Sequence, residues 1–336
     1  MGFDRIIGQD NLKSRMAYEA CDKRGNTYII SGPSGSGKTM LANEMAAMFL
    51  CDDPTPEGAC GKCRCCIFTA NGTNPDYIKV EPEKNASGIP VDTIRSAIVA
   101  DYEIAPQFSR NKVYQINGNC LGVEAQNALL KSIEEPPENV IFIIETVNTD
   151  TLLPTIVSRA AEYKTVPLDD EDIKKFIRSV YPDIDDNELM LLADFADGIP
   201  GRAVKLREDE DFTGLKESVL ELVLGMRGRT LTDTIKAGDE IFLNYKNRYM
   251  EPTVLLLWVL SDIMRLVVDI DCDRIRFSTD RARLEKYVAG NRSITTQKTG
   301  RAIEAVYSFV RDMKVNVNYE AIETAMIIKI YKELNQ

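Results

Sequence analysis

Thr27-Tyr28-Ile29-Ile30-Ser31-Gly32-Pro33-Ser34-Gly35-Ser36-Gly37-Lys38-Thr39 is the stretch on which the fold turns. Thr27 to Ile30 is a short apolar run of strand type. It leads into a glycine-rich turn, after which Leu41, Met45, Met48 and Phe49 recur at helical spacing. The turn matches G-x-x-x-x-G-K-[ST] in full, so Gly32, Pro33, Ser34, Gly35, Ser36, Gly37, Lys38 and Thr39 form a candidate phosphate-binding loop between a strand and a helix. Glycines let backbone N–H groups converge on phosphate oxygens without a Cβ in the way, and the start of the helix adds partial positive charge. In that setting Lys38 reaches the β- and γ-phosphates and the Thr39 hydroxyl ligates Mg²⁺.

Outward from the loop, apolar runs alternate with amphipathic stretches, which is the rhythm of a parallel sheet covered by helices. Further strands are expected at Tyr77 to Val80, Val113 to Ile116 and Val140 to Ile144. A helix is expected from about Val123 to Ile133, stopped by Pro136-Pro137. From about Val166 the strand signals vanish. Asp170 to Val180 and Asp186 to Ala196 have helical spacing, and Gly198-Ile199-Pro200-Gly201-Arg202 is a turn opening a third short helix. Beyond about Asp211 the chain reads as helical, including the segments from Pro252 onward and Tyr319 to Leu334. The expected organisation is an α/β P-loop domain over 1–165, a small three-helix lid over 166–210 and an all-α C-terminal domain over 211–336.

The 336 residues carry 41 Lys and Arg against 52 Asp and Glu, a net charge of −11. With no strong basic block, the chain does not advertise a surface that grips DNA by counterion release, and its partners are expected to be proteins. The longest apolar run, Val254 to Leu260, meets Ser261, Asp262 and Arg265 well before the ~20 apolar residues a bilayer requires. The N-terminus lacks the blocks of a signal peptide. A cytoplasmic protein with no membrane partner is expected.

Five of the eight cysteines lie between Cys51 and Cys66. Cys51, Cys60, Cys63 and Cys66 are spaced C-x8-C-x2-C-x2-C, with Gly58 and Gly61 available for tight turns. Four thiolates on a short loop can close a structural Zn²⁺ shell over 51–66 with no position left open for catalysis. Cys65 is a fifth candidate ligand, and reduced free cysteines or a disulfide are the plain alternatives. A zinc-dependent nucleic-acid-binding module would gather basic residues here. The segment instead holds Asp52, Asp53 and Glu57 against Lys62 and Arg64.

A hydrolysing P-loop site also needs an acid at the end of a neighbouring strand to hold Mg²⁺, and usually a second carboxylate to activate water. The strand Lys112 to Ile116 ends in Asn117-Gly118-Asn119-Cys120, where neither carboxylate is present. Asn117 keeps an oxygen but removes the charge that matters in a poorly solvated site. ATP or ADP binding without turnover, with Mg²⁺ weak or absent, is therefore expected, unless an acid from elsewhere in the fold or from another chain takes the role. An active motor would need acids at Asn117 to Cys120.

With these residues assembled, the sequence resembles the clamp-loader branch of the AAA+ ATPases, and within it the delta-prime type of bacterial DNA polymerase III. The resemblance runs through Phe3-Asp4-Arg5-Ile6-Ile7-Gly8-Gln9, the P-loop, the four-cysteine insertion and Asn74-Pro75-Asp76-Tyr77. It continues through Asn127 to Pro137, Leu153-Pro154-Thr155-Ile156-Val157-Ser158-Arg159 and Gly198 to Ala203. These signatures cover about the first 206 residues; only a weak match around Asn316-Val317-Asn318 follows. The resemblance implies a heteropentamer with gamma/tau and delta subunits that opens a sliding clamp and places it on primed DNA. This chain would be its non-hydrolysing member, and the 211–336 helices the collar that holds the assembly. By spacing alone Arg159 is a surface residue. By resemblance, Ser158-Arg159 matches a Ser-Arg-Cys motif whose arginine reaches the neighbouring subunit's ATP, with Ala160 in the cysteine's place. Arg202 matches the second nucleotide sensor, and Thr146 to Asn148 lies where a first sensor is expected.

Overall fold

The structure is a computed structural model that describes residues 2–22, 25–83, 86, 88–209, 211–291, 293–313 and 318–335. Asn316 and Val317 of the weak C-terminal match lie outside the described residues. The chain packs as two compact units: Met1–Ser179 with Asp197–Arg202, and Val180–Ala196 with Ala203–Gln336.

The first unit is built on a parallel sheet of five strands among the described residues: β1 (Thr27–Ser31), β2 (Tyr77–Val80), β3 (Lys112–Asn117), β4 (Val140–Thr146) and β5 (Ala161–Lys164), in the order β2-β3-β4-β1-β5. Helices cover both faces, so the central strands read as unbroken apolar runs. On one face Leu41, Met45 and Phe49 of the helix Lys38–Leu50 pack with Tyr28, Ile30, Ile141 and Ile143. On the other, Leu129 and Ile133 of the helix Val123–Glu134 pack with Ile29, Phe142 and Ile144. The odd and even residues of β1 and β4 thus serve opposite cores. β5, an edge strand, was not anticipated: of its four residues only Tyr163 is buried, so it carries no apolar run.

Register places the site. β4 lies between β3 and β1, with Glu145 opposite Asn117 on one side and Ile30 on the other. The strand carrying the phosphate loop and the strand ending in Asn117 are therefore not neighbours. Both touch β4.

Asp76, inside the Asn74-Pro75-Asp76-Tyr77 signature, has a structural task. Its fully buried carboxylate accepts the backbone N–H groups of Gln107, Phe108 and Ser109 at 2.8, 2.7 and 2.6 Å, pinning the loop that leads into β3. Asp76→Ala leaves three buried donors without an acceptor. It is expected to destabilise the chain by about 3 kcal/mol in urea unfolding.

The second unit is helical. Phe195 is fully buried, with ring centroids 5.4, 5.1 and 4.9 Å from Phe212, Trp258 and Phe277. The helices Phe212–Gly225, Leu231–Asn244, Met250–Val268, Thr296–Asp312 and Tyr319–Asn335 close one continuous core. No described helix is long and apolar enough to cross a membrane.

Candidate functional site

The loop from Gly32 to Thr39 needs its glycines. Gly32, Gly35 and Gly37 have φ of +144°, +83° and +88°, a region open to glycine but strained for other residues. Gly201 packs on this loop: its N–H donates to the Gly35 carbonyl at 2.8 Å, and a Cβ on Gly201 would fall 2.6 Å from Gly35 Cα. The turn opening the helix Pro200–Glu208 therefore rests directly on the P-loop.

Beside the loop lies a cavity of about 370 Å³, whose lining includes Lys38, Thr39, Gln115, Asn117, Asn119 and Glu145. The P-loop positions come together here as the motif requires. Lys38 is only 8% exposed, and its ammonium donates to the Gly32 and Pro33 carbonyls at 2.8 Å each. Burial pulls its pKa below the ordinary lysine value, and the nearby Glu145 carboxylate opposes that shift.

The end of β3 is neutral, as the sequence indicated. Asn117 Oδ1 accepts both the backbone N–H and the side-chain amide of Asn119 at 3.2 Å. Asn119 Oδ1 in turn accepts from Val147 N at 2.7 Å and from the Thr146 hydroxyl at 3.3 Å. Thr146 is fully buried in this network, so Asn119 and Val147 line the cavity in its place.

Four cavity residues, Met40, Glu81, Gln115 and Glu145, were missed from sequence. Glu145 accepts a hydrogen bond from the Thr39 hydroxyl at 2.6 Å on Oε2 and from the Gln115 amide at 2.6 Å on Oε1. The available signal was a lone acid at the end of the apolar run Val140 to Ile144, at the carboxyl edge of a parallel sheet where ligands bind.

Arg159 and Arg202 do not line this cavity. Arg159 follows the one-turn helix Pro154–Val157. Its guanidinium pairs with Glu134 at 3.0 Å and donates to the Thr155 carbonyl at 2.9 Å, with the side chain 40% exposed. Arg202 pairs with Asp197 at 3.4 Å, one residue beyond the Gly201 contact with the P-loop.

The four cysteines converge. The sulfurs of Cys51, Cys60, Cys63 and Cys66 lie within 4.8 Å of one another, with Cys51–Cys63 and Cys60–Cys66 each at 3.9 Å. Gly61, at φ +71°, makes the turn between Cys60 and Cys63. The backbone N–H groups of Cys60, Cys63 and Cys66 donate to the sulfurs of Cys51, Cys60 and Cys63 at 3.3 Å each. Burial pushes Cys51 up to about 11 and raises Cys66 further. For Cys60 burial acts upward and is the largest single influence, but hydrogen bonds from the N–H groups of Lys62 and Cys63 and with the Cys51 and Cys63 side chains together bring the thiol down to about 7. Four such sulfurs ionise together only against a bound cation, and the cluster can hold a metal such as zinc. Cys65 stands outside it: its sulfur lies 3.4 Å from Asp52 Oδ1 and 3.7 Å from the Phe108 carbonyl, two acceptors within reach of its one S–H.

Residues 9–169 match the family described as DNA polymerase III, delta subunit. DNA polymerase III subunit delta' of Pseudomonas aeruginosa is 32% identical over 206 residues, which are 61% of this chain and 61% of that protein. Subunit tau of Bacillus subtilis is 28% identical over 248 residues, 69% of this chain and 43% of tau. Subunit gamma of Buchnera aphidicola subsp. Acyrthosiphon pisum is 26% identical over 331 residues, covering 95% of this chain and 88% of gamma, so that likeness extends through the helical second half. The matches to delta' and tau span 61% and 43% of those relatives' own lengths.

Proposed function

We propose that this chain is a delta-prime-type subunit of a DNA polymerase III clamp loader that binds nucleotide without turning it over. The observation that carries this reading is the pairing of a complete P-loop with a β3 end that offers Asn117 and Gly118 in place of acids. In this reading the chain joins gamma/tau and delta subunits in a heteropentamer, and through that assembly acts on the sliding clamp and primed DNA. Residues 1–165 serve as the AAA+ domain, 166–210 as its lid and 211–336 as the collar. Arg159 is presented in trans to a neighbouring ATP, and Arg202 attends this chain's own nucleotide from the lid. Cys51, Cys60, Cys63 and Cys66 hold a structural Zn²⁺ that fixes the loop after the P-loop helix.

One observation favours a second reading, an active gamma/tau-like motor: the Glu145 carboxylate on Thr39 stands where such a site needs charge. Steady-state ATPase of the isolated chain separates the two. A rate indistinguishable from that of Lys38→Ala is expected. Turnover that Lys38→Ala abolishes would install the motor reading.

A further inference from the structure

The acid missing from β3 has a counterpart one strand away. Glu145 stands opposite Asn117 in the parallel register of β3 and β4, so a carboxylate at this level of the sheet has moved by one strand spacing, about 4.8 Å, toward the strand that carries the P-loop. We propose that Glu145 and Thr39 form a relocated divalent-cation seat, through which this P-loop takes its nucleotide as the Mg²⁺ complex. The proposal rests on the nucleotide-binding reading above. It replaces the expectation of weak or absent Mg²⁺ drawn from Asn117.

Three features carry it. The Thr39 hydroxyl, the P-loop group that ligates Mg²⁺, donates to Glu145 Oε2 at 2.6 Å, so the carboxylate stands on the cation side of the cavity. Glu145 is also held in place. Its Oε1 accepts from Gln115 Nε2 at 2.6 Å, and Gln115, 3% exposed, has its own carbonyl oxygen bonded by the Tyr77 hydroxyl. Donors and acceptors agree along the relay from Tyr77 to Gln115 to Glu145. Each Glu145 oxygen accepts one of these bonds and retains a lone pair for a metal or its water. The third feature is what Glu145 does not take. A carboxylate imitating a phosphate would claim the Lys38 ammonium, yet Lys38 donates to the carbonyls of Gly32 and Pro33. The P-loop side of the cavity is left for phosphate. With Asn117 and Gly118 at the end of β3, the seat supplies charge for binding while β3 itself offers no carboxylate to activate water; the cavity's other acid, Glu81, lies just beyond β2.

The test is calorimetric titration of the full chain with ATP, in Mg²⁺ and in EDTA, for wild type, Glu145→Gln, and Glu145→Gln combined with Asn117→Asp. Wild type is expected to bind ATP about tenfold more tightly with Mg²⁺, within the range of coupling between two ligands. Glu145→Gln should bring that ratio close to one, and returning the acid to β3 in the double variant should restore it. A ratio near one in a wild type that binds ATP overturns the seat and leaves the nucleotide reading standing. A Glu145→Gln protein that keeps the tenfold ratio, or binds Mg²⁺–ATP more tightly than wild type, also overturns the seat; the latter makes Glu145 a plug. Failure of all three proteins to bind ATP overturns the nucleotide reading and the seat together.

Discussion

Arg159→Ala is expected to lower the DNA- and clamp-stimulated ATPase of the reconstituted loader while leaving assembly and the fold of this chain intact. The fold should tolerate the change because the side chain is 40% exposed and its ion-pair partner Glu134 is 44% exposed, a setting in which a pair contributes about 0–1 kcal/mol. Its remaining bonds, to the Thr155 carbonyl and Ser158 hydroxyl, are local to one turn. The functional loss should be far larger. A guanidinium placed against a γ-phosphate offsets charge that develops only in the transition state, and such arginines contribute roughly 10³–10⁵ in turnover. The neighbouring site should therefore fall silent, and the assembly's rate should drop by the share that site supplies. Arg159→Lys refines the argument, since it keeps the charge but loses the planar fork, so only partial recovery is expected. Size-exclusion chromatography of each assembly checks that the rate change is not a loss of association. An unchanged rate in an intact assembly would return Arg159 to the plain surface residue its spacing suggests.

How much of this was legible in the sequence follows from where each signal resides. The P-loop was readable because its chemistry is local: three glycines, a lysine and a threonine at fixed offsets sit between β1 and the helix Lys38–Leu50, as the motif demands. The helices Asp170–Val180 and Asp186–Ala196 were readable to the residue because their apolar spacing is set by one buried face each. β5 was not, because an edge strand with one buried residue has no periodic signal. Glu145 was not, for a different reason. Its meaning depends on β4 lying between β3 and β1, and strand order is a property of the assembled sheet that no local window contains. The same holds for Gly201 against Gly35, a contact across 166 positions of sequence that only folding brings together. The choice between Cys65 and Cys66 was likewise open from spacing. Helix geometry brings Cys66 into the sulfur cluster, since Cys63 caps the helix Arg64–Ala70 and accepts from Cys66 N, while Cys65 faces Asp52.

That helix geometry underlies the other large effect expected. The purified chain should carry about one zinc, and Cys63→Ser or Cys66→Ser should release it, whereas Cys65→Ser should leave the stoichiometry unchanged. The sulfur pairs at 3.9 Å are near the ~3.8 Å that a tetrahedron with Zn–S bonds of about 2.3 Å requires, and far beyond the ~2.05 Å of a disulfide. None of the eight cysteines is joined in a disulfide. Losing one ligand of four should weaken zinc by more than the roughly 10–100-fold that follows from disturbing an outer hydrogen-bond partner. The consequence for stability runs through Cys51, which is fully buried and closes the end of the P-loop helix by donating its N–H to the Met48 carbonyl. The segment between Cys51 and Cys66 has little apolar core of its own, with Gly58, Ala59, Cys51, Cys65 and Cys66 as its buried members, so a bound metal would do the work that side-chain packing does elsewhere. Removing it should cost about 3 kcal/mol, roughly 6–12 °C in melting temperature for a unit of this size. Zinc analysis alongside thermal melts of wild type, Cys65→Ser and Cys66→Ser, each with and without chelator, separates the possibilities. If Cys66→Ser melts with wild type and chelator shifts neither, the four sulfurs are reduced cysteines packed together, and the loop after the P-loop helix is held by its backbone alone.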